Sequence, residues 1–201
     1  MAIDVQANKD RFCAILRSTG RAGVETVLAE LDQLGFFSAP ASTRFHLAEA
    51  GGLCQHSLNV YDEAMLVKVL QCRLRPDLEP KLNDVSVTVA ALLHDVCKAE
   101  VYKTEIKHRK VNGKWEDYLG YVPDYSALPL GHGEKSVIRL LRWGFELTDE
   151  EMMAIRWHMH AWSLSDAPED GANFNKANEQ CPLLAVLIAA DGLAAHILET
   201  H

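Results

Sequence analysis

The chain has 201 residues, 48% of them hydrophobic, and carries a formal net charge of −8 at pH 7. A chain of this length and composition can bury a sizeable core, which predicts a single domain over residues 1–201. The acidic charge argues against binding of long nucleic acid, which usually needs a basic face, and leaves small molecules as the expected partners.

The first 50 residues have helical periodicity in two runs. These runs extend from about Val5 to Leu34, with a break near residues 18–20 and an end at Gly35. The pattern predicts a helical N-terminal extension over residues 1–50, ahead of a core over residues 51–201.

A third predicted helix opens at Gly51-Gly52 and continues to about Cys72. Apolar residues recur along it at spacings of three and four, and one histidine falls on the same stripe. The stripe consists of Leu53, His56, Val60, Ala64 and Val67. We therefore expect His56 to face the core.

The next predicted helix extends from about Asn83 to Lys98. His94 and Lys98 share its apolar face, and Asp95 lies beside that face. Adjacent residues point about 100° apart on a helix, so His94 and Asp95 can both reach a metal ion that lies between them. A bound ion would also explain two polar side chains at the edge of an apolar face.

Residues 101–125 differ from the helical segments around them. β-Branched and aromatic residues flank an Asn112-Gly113 dipeptide, which predicts an inserted β-hairpin. Because it follows Lys98 and precedes His132, we expect the hairpin to lie beside the site and partly cover it. Its aromatic residues either stack on a substrate or pack against one another across the strands. These residues are Trp115, Tyr118 and Tyr121.

The last third of the chain predicts three helices and a loop. One helix begins in the run Gly131–Glu134 and reaches about Trp143. A capping-box pattern over Thr148–Glu151 opens a second, which reaches His160. Residues from about 163 to 180 predict a polar loop.

The final predicted helix runs from Pro182 to about Glu199. Its apolar stripe is interrupted by one carboxylate, that of Asp191. An ionised carboxylate that faces a core is unfavourable unless a cation or several donors compensate it. A bound metal ion would supply that compensation.

Each candidate has an ordinary interpretation when taken alone. A single histidine such as His56, His132 or His158 is more often a hydrogen-bonded, partly buried side chain than a ligand. Asp191 can instead pair with a cation such as Arg139 or His196. Together, however, inward-facing imidazoles and carboxylates are typical of a site for a divalent transition metal.

The cysteines and the N-terminus predict the compartment. The five cysteines are odd in number and form no C-x-x-C pair, which indicates reduced thiols. The N-terminus has no basic segment followed by an apolar one, and no apolar run reaches the roughly 18 residues of a membrane span. The sequence thus predicts a cytoplasmic protein with no membrane contact.

The segment Leu92-Leu93-His94-Asp95-Val96-Cys97-Lys98 resembles LLHDIGK, the signature of the HD superfamily. Cys97 stands where that signature has glycine. The order of candidate ligands is similar to the H…HD…H…H…D pattern of members with two metals, such as the HD-GYP type. Those residues are His56, His94, Asp95, His132, His158 and Asp191. The run Gly131–Ser136 also resembles a helix start in HD-domain 3′–5′ exoribonucleases.

The resemblance implies a fold and a ligand set. The fold is all-α, an HD-domain helical bundle with the β-hairpin inserted. One or two ions of iron, manganese, nickel, zinc or cobalt are implied. The first ion would be held by His56, His94, Asp95 and Asp191. Asp95 would bridge to a second ion completed by His132 and His158, although His160 competes with His158 for its role.

The implied activity is that of a metal-dependent phosphohydrolase or phosphodiesterase, which uses metal-activated water on a nucleotide or another small phosphoester. Asp95 and Lys98 are the expected catalytic residues. Lys98, Lys135 and His160 are the expected substrate-binding residues. Two alternatives stay open, an HD-fold diiron oxygenase and a non-catalytic HD module that binds a nucleotide and regulates a partner.

Overall fold

The computed structural model describes residues 2–160 and 164–200, which are mostly helical. Eight α-helices and one two-stranded sheet make up the regular structure of these residues. The helices are α1 (Val5–Ser18), α2 (Val24–Gln33), α3 (Gly52–Leu74), α4 (Asp84–Leu93), α5 (His132–Arg142), α6 (Asp149–Trp157), α7 (Pro168–Gln180) and α8 (Pro182–Leu193). Short 3-10 turns lie at Pro76–Lys81 and Val96–Glu100, and a π turn at Ala194–Leu198 follows α8.

The predicted N-terminal pair is present as α1 and α2. The side chain of Asp4 caps α1, and Phe12 and Leu16 are fully buried on its inner face. Phe12 packs on Phe36, with ring centroids 5.2 Å apart. The same apolar cluster includes Leu92 of α4, so the N-terminal helices share a core with the helix that leads to His94 and Asp95.

The centre of the bundle is α4, which packs against α3, α6 and α8. Every residue from Ser86 to Leu93 is buried, as its nearly continuous apolar sequence requires. The sequence predicted a helix that continues to Lys98, and this end is wrong, because α4 ends at Leu93. Asp95 leaves the helical conformation with φ −110° and ψ 16°, and a tight 3-10 turn follows.

The predicted hairpin is confirmed. Strand β1 (Tyr102–Val111) pairs antiparallel with β2 (Lys114–Pro123). Asn112 and Gly113 form the turn, and both have positive φ, 50° and 84°, as a two-residue hairpin turn demands.

The polar segment before α8 is a helix and not the predicted loop. Residue 163 lies outside the described residues, but α7 begins at Pro168, whose fixed φ suits a first helical turn. Phe174 packs on Trp157 with ring centroids 5.9 Å apart, and Ala177 is buried. Few residues of α7 are apolar, so their spacing in the sequence did not indicate a helix.

The last predicted helix is present, but it changes pitch. The α-helical part α8 ends at Leu193 and continues as the π turn. Within the described residues, no single helix is long and apolar enough to cross a membrane, and only α7 together with Pro182–Leu198, bent by 101°, passes that test as a pair.

Candidate metal centre

The break after α4 places His94 and Asp95 at the middle of the bundle. His94 is the C-cap of α4, and its Nδ1 donates a hydrogen bond of 2.8 Å to the carbonyl of Ala91. Its Nε2 lies 3.4 Å from Oδ2 of Asp95. Asp95 is 1% exposed, and the same carboxylate oxygen lies 2.6 Å from Nζ of Lys98.

His56 reaches this carboxylate from α3. Its Nε2 lies 3.2 Å from Oδ1 of Asp191 and 3.7 Å from Oδ2 of Asp95. Its Nδ1 donates to Glu199 at 3.0 Å, and Glu199 also accepts a bond of 2.8 Å from Asn59. His56 therefore presents Nε2 to the two aspartates while Glu199 holds the other side of its ring.

His132 and His158 complete the cluster from α5 and the end of α6. Nδ1 of His158 donates to the carbonyl of Ile155 at 2.7 Å, and its Nε2 lies 3.5 Å from Oδ1 of Asp95. Nε2 of His132 contacts the same Oδ1 directly. All six residues predicted as ligands thus converge on one buried point, with Asp95 at its centre.

The donor atoms of this cluster fit a cation. His94 and His158 both use Nδ1–H for a backbone carbonyl, so in the neutral form of either ring the Nε2 lone pair faces Asp95. Neither Nε2 has a hydrogen-bond partner, although both atoms are buried. Lone pairs that face a carboxylate repel it unless a positive ion lies between them. The six residues form three overlapping groups of three, and each group could hold a metal ion, because the ligand atoms within it lie within 4.8 Å of one another.

The charges of the cluster are strongly coupled. Burial opposes ionisation of Asp95, but Lys98 and the neighbouring histidines outweigh it and hold the pKa of Asp95 well below its usual value. Burial likewise opposes the charge of His56, yet the hydrogen bonds that His56 donates to Asp191 and Glu199 raise the pKa of His56 to about 9. Without a metal ion, protons and Lys98 therefore compensate the carboxylates.

Sequence reasoning missed two residues behind His56. His46 stacks on His56, with ring centroids 4.9 Å apart, and its Nδ1 lies 3.6 Å from Glu199. A straight α-helix would place residue i+8 about 80° from residue i, so Glu199 would not be aligned with Asp191. The wider π turn advances less per residue and returns Glu199 toward the site. No local sequence signal marks such a turn.

A cavity of about 940 Å³ opens beside the cluster. Its polar wall contains Asp95, Lys98, His158 and Asp191, which belong to the centre. The rest of the described wall combines apolar residues with polar ones. The apolar residues are Phe45, Met159, Ile188, Gly192 and Ala195, and the polar ones are His46, His160, His196, Glu199 and Thr200. The cavity therefore gives a small molecule access to the cluster.

Lys135 and the hairpin strands do not line the cavity, although the sequence predicts both at the site. Lys135 is buried away from the cavity, where its Nζ donates to the carbonyl of Ala127 at 2.6 Å and lies 3.3 Å from Glu100.

Tyr102, the first residue of β1, interacts electrostatically with Lys98 and Asp95, so the base of the hairpin lies beside the site. No described residue of β1 or β2 lines the cavity, so the hairpin does not cover it. Trp115 is exposed to solvent, and Tyr118 packs under the guanidinium of Arg109.

The ordinary interpretation of Asp191 as an ion-pair partner of Arg139 is wrong. The guanidinium of Arg139 binds Glu100 instead, at 2.6 Å. The partner of Asp191 is therefore His56 of the cluster and not an arginine.

Comparisons with protein-family models, with curated proteins and with solved structures find no significant match to this chain. The geometry of the cluster and the sequence pattern are therefore the basis on which its chemistry is judged. The cluster itself is a buried His/Asp site able to hold a metal ion.

Proposed function

We propose that this chain is a metal-dependent phosphohydrolase of the HD type that acts on a small phosphoester such as a nucleotide. The observation that carries the proposal is the pair of buried Nε2 atoms on His94 and His158, which have no hydrogen-bond partner and lie 3.4 and 3.5 Å from the carboxylate of Asp95. A metal ion between these atoms would bind the Nε2 lone pairs and compensate the buried carboxylate.

Two overlapping ligand sets support two ions. His56, His94, Asp95 and Asp191 would hold the first ion. Asp95, His132 and His158 would hold the second. Imidazole and carboxylate donors suit iron, manganese, nickel, zinc or cobalt. A bound ion of this kind lowers the pKa of a coordinated water to about 7 and neutralises phosphoryl oxygens.

The charge of the cavity favours a phosphate monoester over a longer polyphosphate. Its described lining residues include three carboxylates and a single lysine, namely Asp95, Asp191, Glu199 and Lys98. Two divalent ions would bring this set to a net charge of about +2, which matches the charge of about −2 on a phosphate monoester. A triphosphate would leave excess negative charge in a largely buried site.

Lys98 and the apolar wall have separate roles in this proposal. The side chain of Lys98 is 16% exposed and reaches the cavity beside Asp95. Its ammonium neutralises one phosphate oxygen as a point charge. Phe45, Met159 and Ile188 then contact the organic part of the substrate, and His160 lies at the same wall.

The test begins with protein purified without chelator. Elemental analysis is expected to find a transition metal, and a panel of phosphoesters and nucleotides supplied with that metal is expected to release phosphate. Asp95→Ala should lose metal and activity, whereas Asp117→Ala, a matched change on the exposed hairpin, should keep both. Metal-free parent protein, or an iron protein that consumes oxygen and releases no phosphate, would contradict the proposal.

The number of ions is tested with three variants. Asp95→Ala should lose both ions, because it removes the shared ligand. His132→Ala should lose mainly the second ion, and Asp191→Ala mainly the first. A parent with one tightly bound ion that His132→Ala leaves in place would show a mononuclear site.

A further inference from the structure

Cys97 contacts one of the proposed metal ligands. It occupies the position where the HD signature has glycine, and it is 2% exposed. Its Sγ lies 3.1 Å from Nδ1 of His132, and its backbone N–H donates to Oγ of Ser136 at 3.3 Å. A residue outside the ligand set therefore lies directly behind His132.

These contacts belong to a longer junction between α5 and the 3-10 turn that follows Asp95. Ser136 lies one turn after His132 on α5, and Arg139 lies nearly one turn further. Arg139 binds Glu100 of the 3-10 turn at 2.6 Å. The junction thus fixes the start of α5, which carries His132, relative to the turn that begins at Asp95.

Each of the other three histidines of the cluster has a hydrogen-bond acceptor for its Nδ1–H. His94 and His158 lie at the C-terminal ends of helices, so each Nδ1–H donates to the carbonyl three residues earlier. His56 uses the carboxylate of Glu199. His132 is the first residue of α5, where no preceding helical turn offers a carbonyl. In the described structure, the sulfur of Cys97 lies at this place.

We propose that Cys97 is a positioning residue for the second metal ion. Its sulfur accepts the Nδ1–H of His132, which fixes the tautomer that leaves Nε2 free to bind and holds the ring toward Asp95. Glycine at this position would provide neither the acceptor nor the contact. The inference rests on the proposed function, because it concerns the second ion of that site.

The test compares Cys97→Ala and Cys97→Ser with the parent after chelator treatment. Calorimetric titration with Mn²⁺ is expected to show the second ion bound about 10-fold or more weakly in Cys97→Ala, within the usual range for loss of such a partner. The first ion should keep its affinity. Cys97→Ser should recover most of the loss, since a hydroxyl also accepts a hydrogen bond. Cys181→Ala, which removes another buried thiol, is the matched control.

A second measurement does not depend on any variant folding. In parent protein labelled with ¹⁵N-histidine and loaded with Zn²⁺, nuclear magnetic resonance should show His132 coordinated through Nε2 and protonated at Nδ1. Coordination through Nδ1 would overturn the inference.

The titration separates the two proposals. Equal affinity for the second ion in parent and Cys97→Ala, equal weakening of both ions, or absence of recovery in Cys97→Ser would overturn the role of Cys97 alone. A parent that binds fewer than two Mn²⁺ ions would instead contradict the dinuclear site, and the inference with it.

Discussion

At the scale of single residues, Asp95 holds the cluster together. Its two oxygens face His132 and His158 on one side and His94 and Lys98 on the other. A buried carboxylate in such surroundings is unfavourable when it lacks cationic partners. The residue that would bridge two ions therefore depends on protons and on Lys98 for compensation in the metal-free protein.

Metal-free protein should become less stable above neutral pH. The carboxylates of Asp191 and Glu199 outweigh the effect of burial and raise the pKa of His56 to about 9, above the unfolded value of about 6.5. A raised pKa in the folded state adds stability that is complete below the unfolded pKa and is lost as pH rises through the folded one. The free energy of unfolding in chelator should therefore decrease between about pH 6.5 and 9.

Urea denaturation at several pH values measures this effect. Glu199→Gln removes one of the carboxylates that favour the imidazolium and should flatten the pH dependence. Metal affinity should change in the opposite direction and increase with pH, because an ion must displace the proton on Nε2 of His56. Stability in chelator that is flat or increases over this range would contradict the assignment.

Lys98 should matter for turnover and not for metal content. An ammonium has no lone pair to give to a metal, but it can neutralise charge that develops on a phosphate. Lys98→Ala is expected to reduce kcat by about 100-fold, the usual order for one lost electrostatic contact. Elemental analysis should find the parent's metal content. Lys103→Ala, a change at an exposed lysine of the hairpin, serves as the control, and unchanged kcat in Lys98→Ala would refute the role.

At the scale of elements, the site depends on the close approach of α5 to α6. A Cβ added to Gly133 would lie 2.3 Å from the carbonyl oxygen of Arg156 and 2.4 Å from that of Ile155. Both are backbone atoms, so the helices would have to separate. His132 precedes Gly133, and His158 follows Arg156 closely, so this spacing sets the distance between the two histidines.

Gly133→Ala should therefore destabilise the protein by about 1–3 kcal/mol, as overpacking does, and weaken the second metal ion. Gly171→Ala in α7 is the matched control, because its Cβ would meet nothing within 4 Å. Alanine is the better helix former, so the control should stabilise the protein by about 0.5–1 kcal/mol. Chemical denaturation and metal analysis check both, and Gly133→Ala with parental stability would contradict the packing argument.

At the scale of the whole molecule, the centre joins distant parts of the chain. Its candidate ligands lie on α3, the end of α4, α5, the end of α6 and α8, and α1 and α2 share the apolar core beneath them. A metal ion that binds the folded chain alone stabilises it by mass action. An ion at about 100 times its Kd adds about 2.7 kcal/mol.

For a chain of this length, that amount corresponds to a change in Tm of about 5–10 °C. Thermal unfolding should thus occur at lower temperature in chelator and recover when the ion is returned. Asp191→Ala should show a smaller difference between the two conditions. A Tm that neither chelator nor metal changes would indicate that the cluster binds no ion.

The sequence by itself determined the features that depend only on residues close together in the chain. Helical periodicity, the Asn112-Gly113 turn and the Thr148 capping box are local patterns, and the structure contains the elements they predict. The carboxylate of Asp191 within an apolar stripe was also a local signal, because a charge on a buried face is unfavourable at any tertiary arrangement. The full set of six candidate ligands was identifiable from its resemblance to the HD pattern, before their positions were known.

Only the tertiary structure decided which side chains support those ligands. Glu199 meets His56 across 143 residues of chain, and a π turn, which no residue pattern marks, directs it there. Cys97 meets His132 because α5 begins against the turn after Asp95, and Lys135 is held by Glu100 away from the cavity. Such contacts arise from how whole helices pack, since the periodicity of one helix does not specify which residues of another it meets.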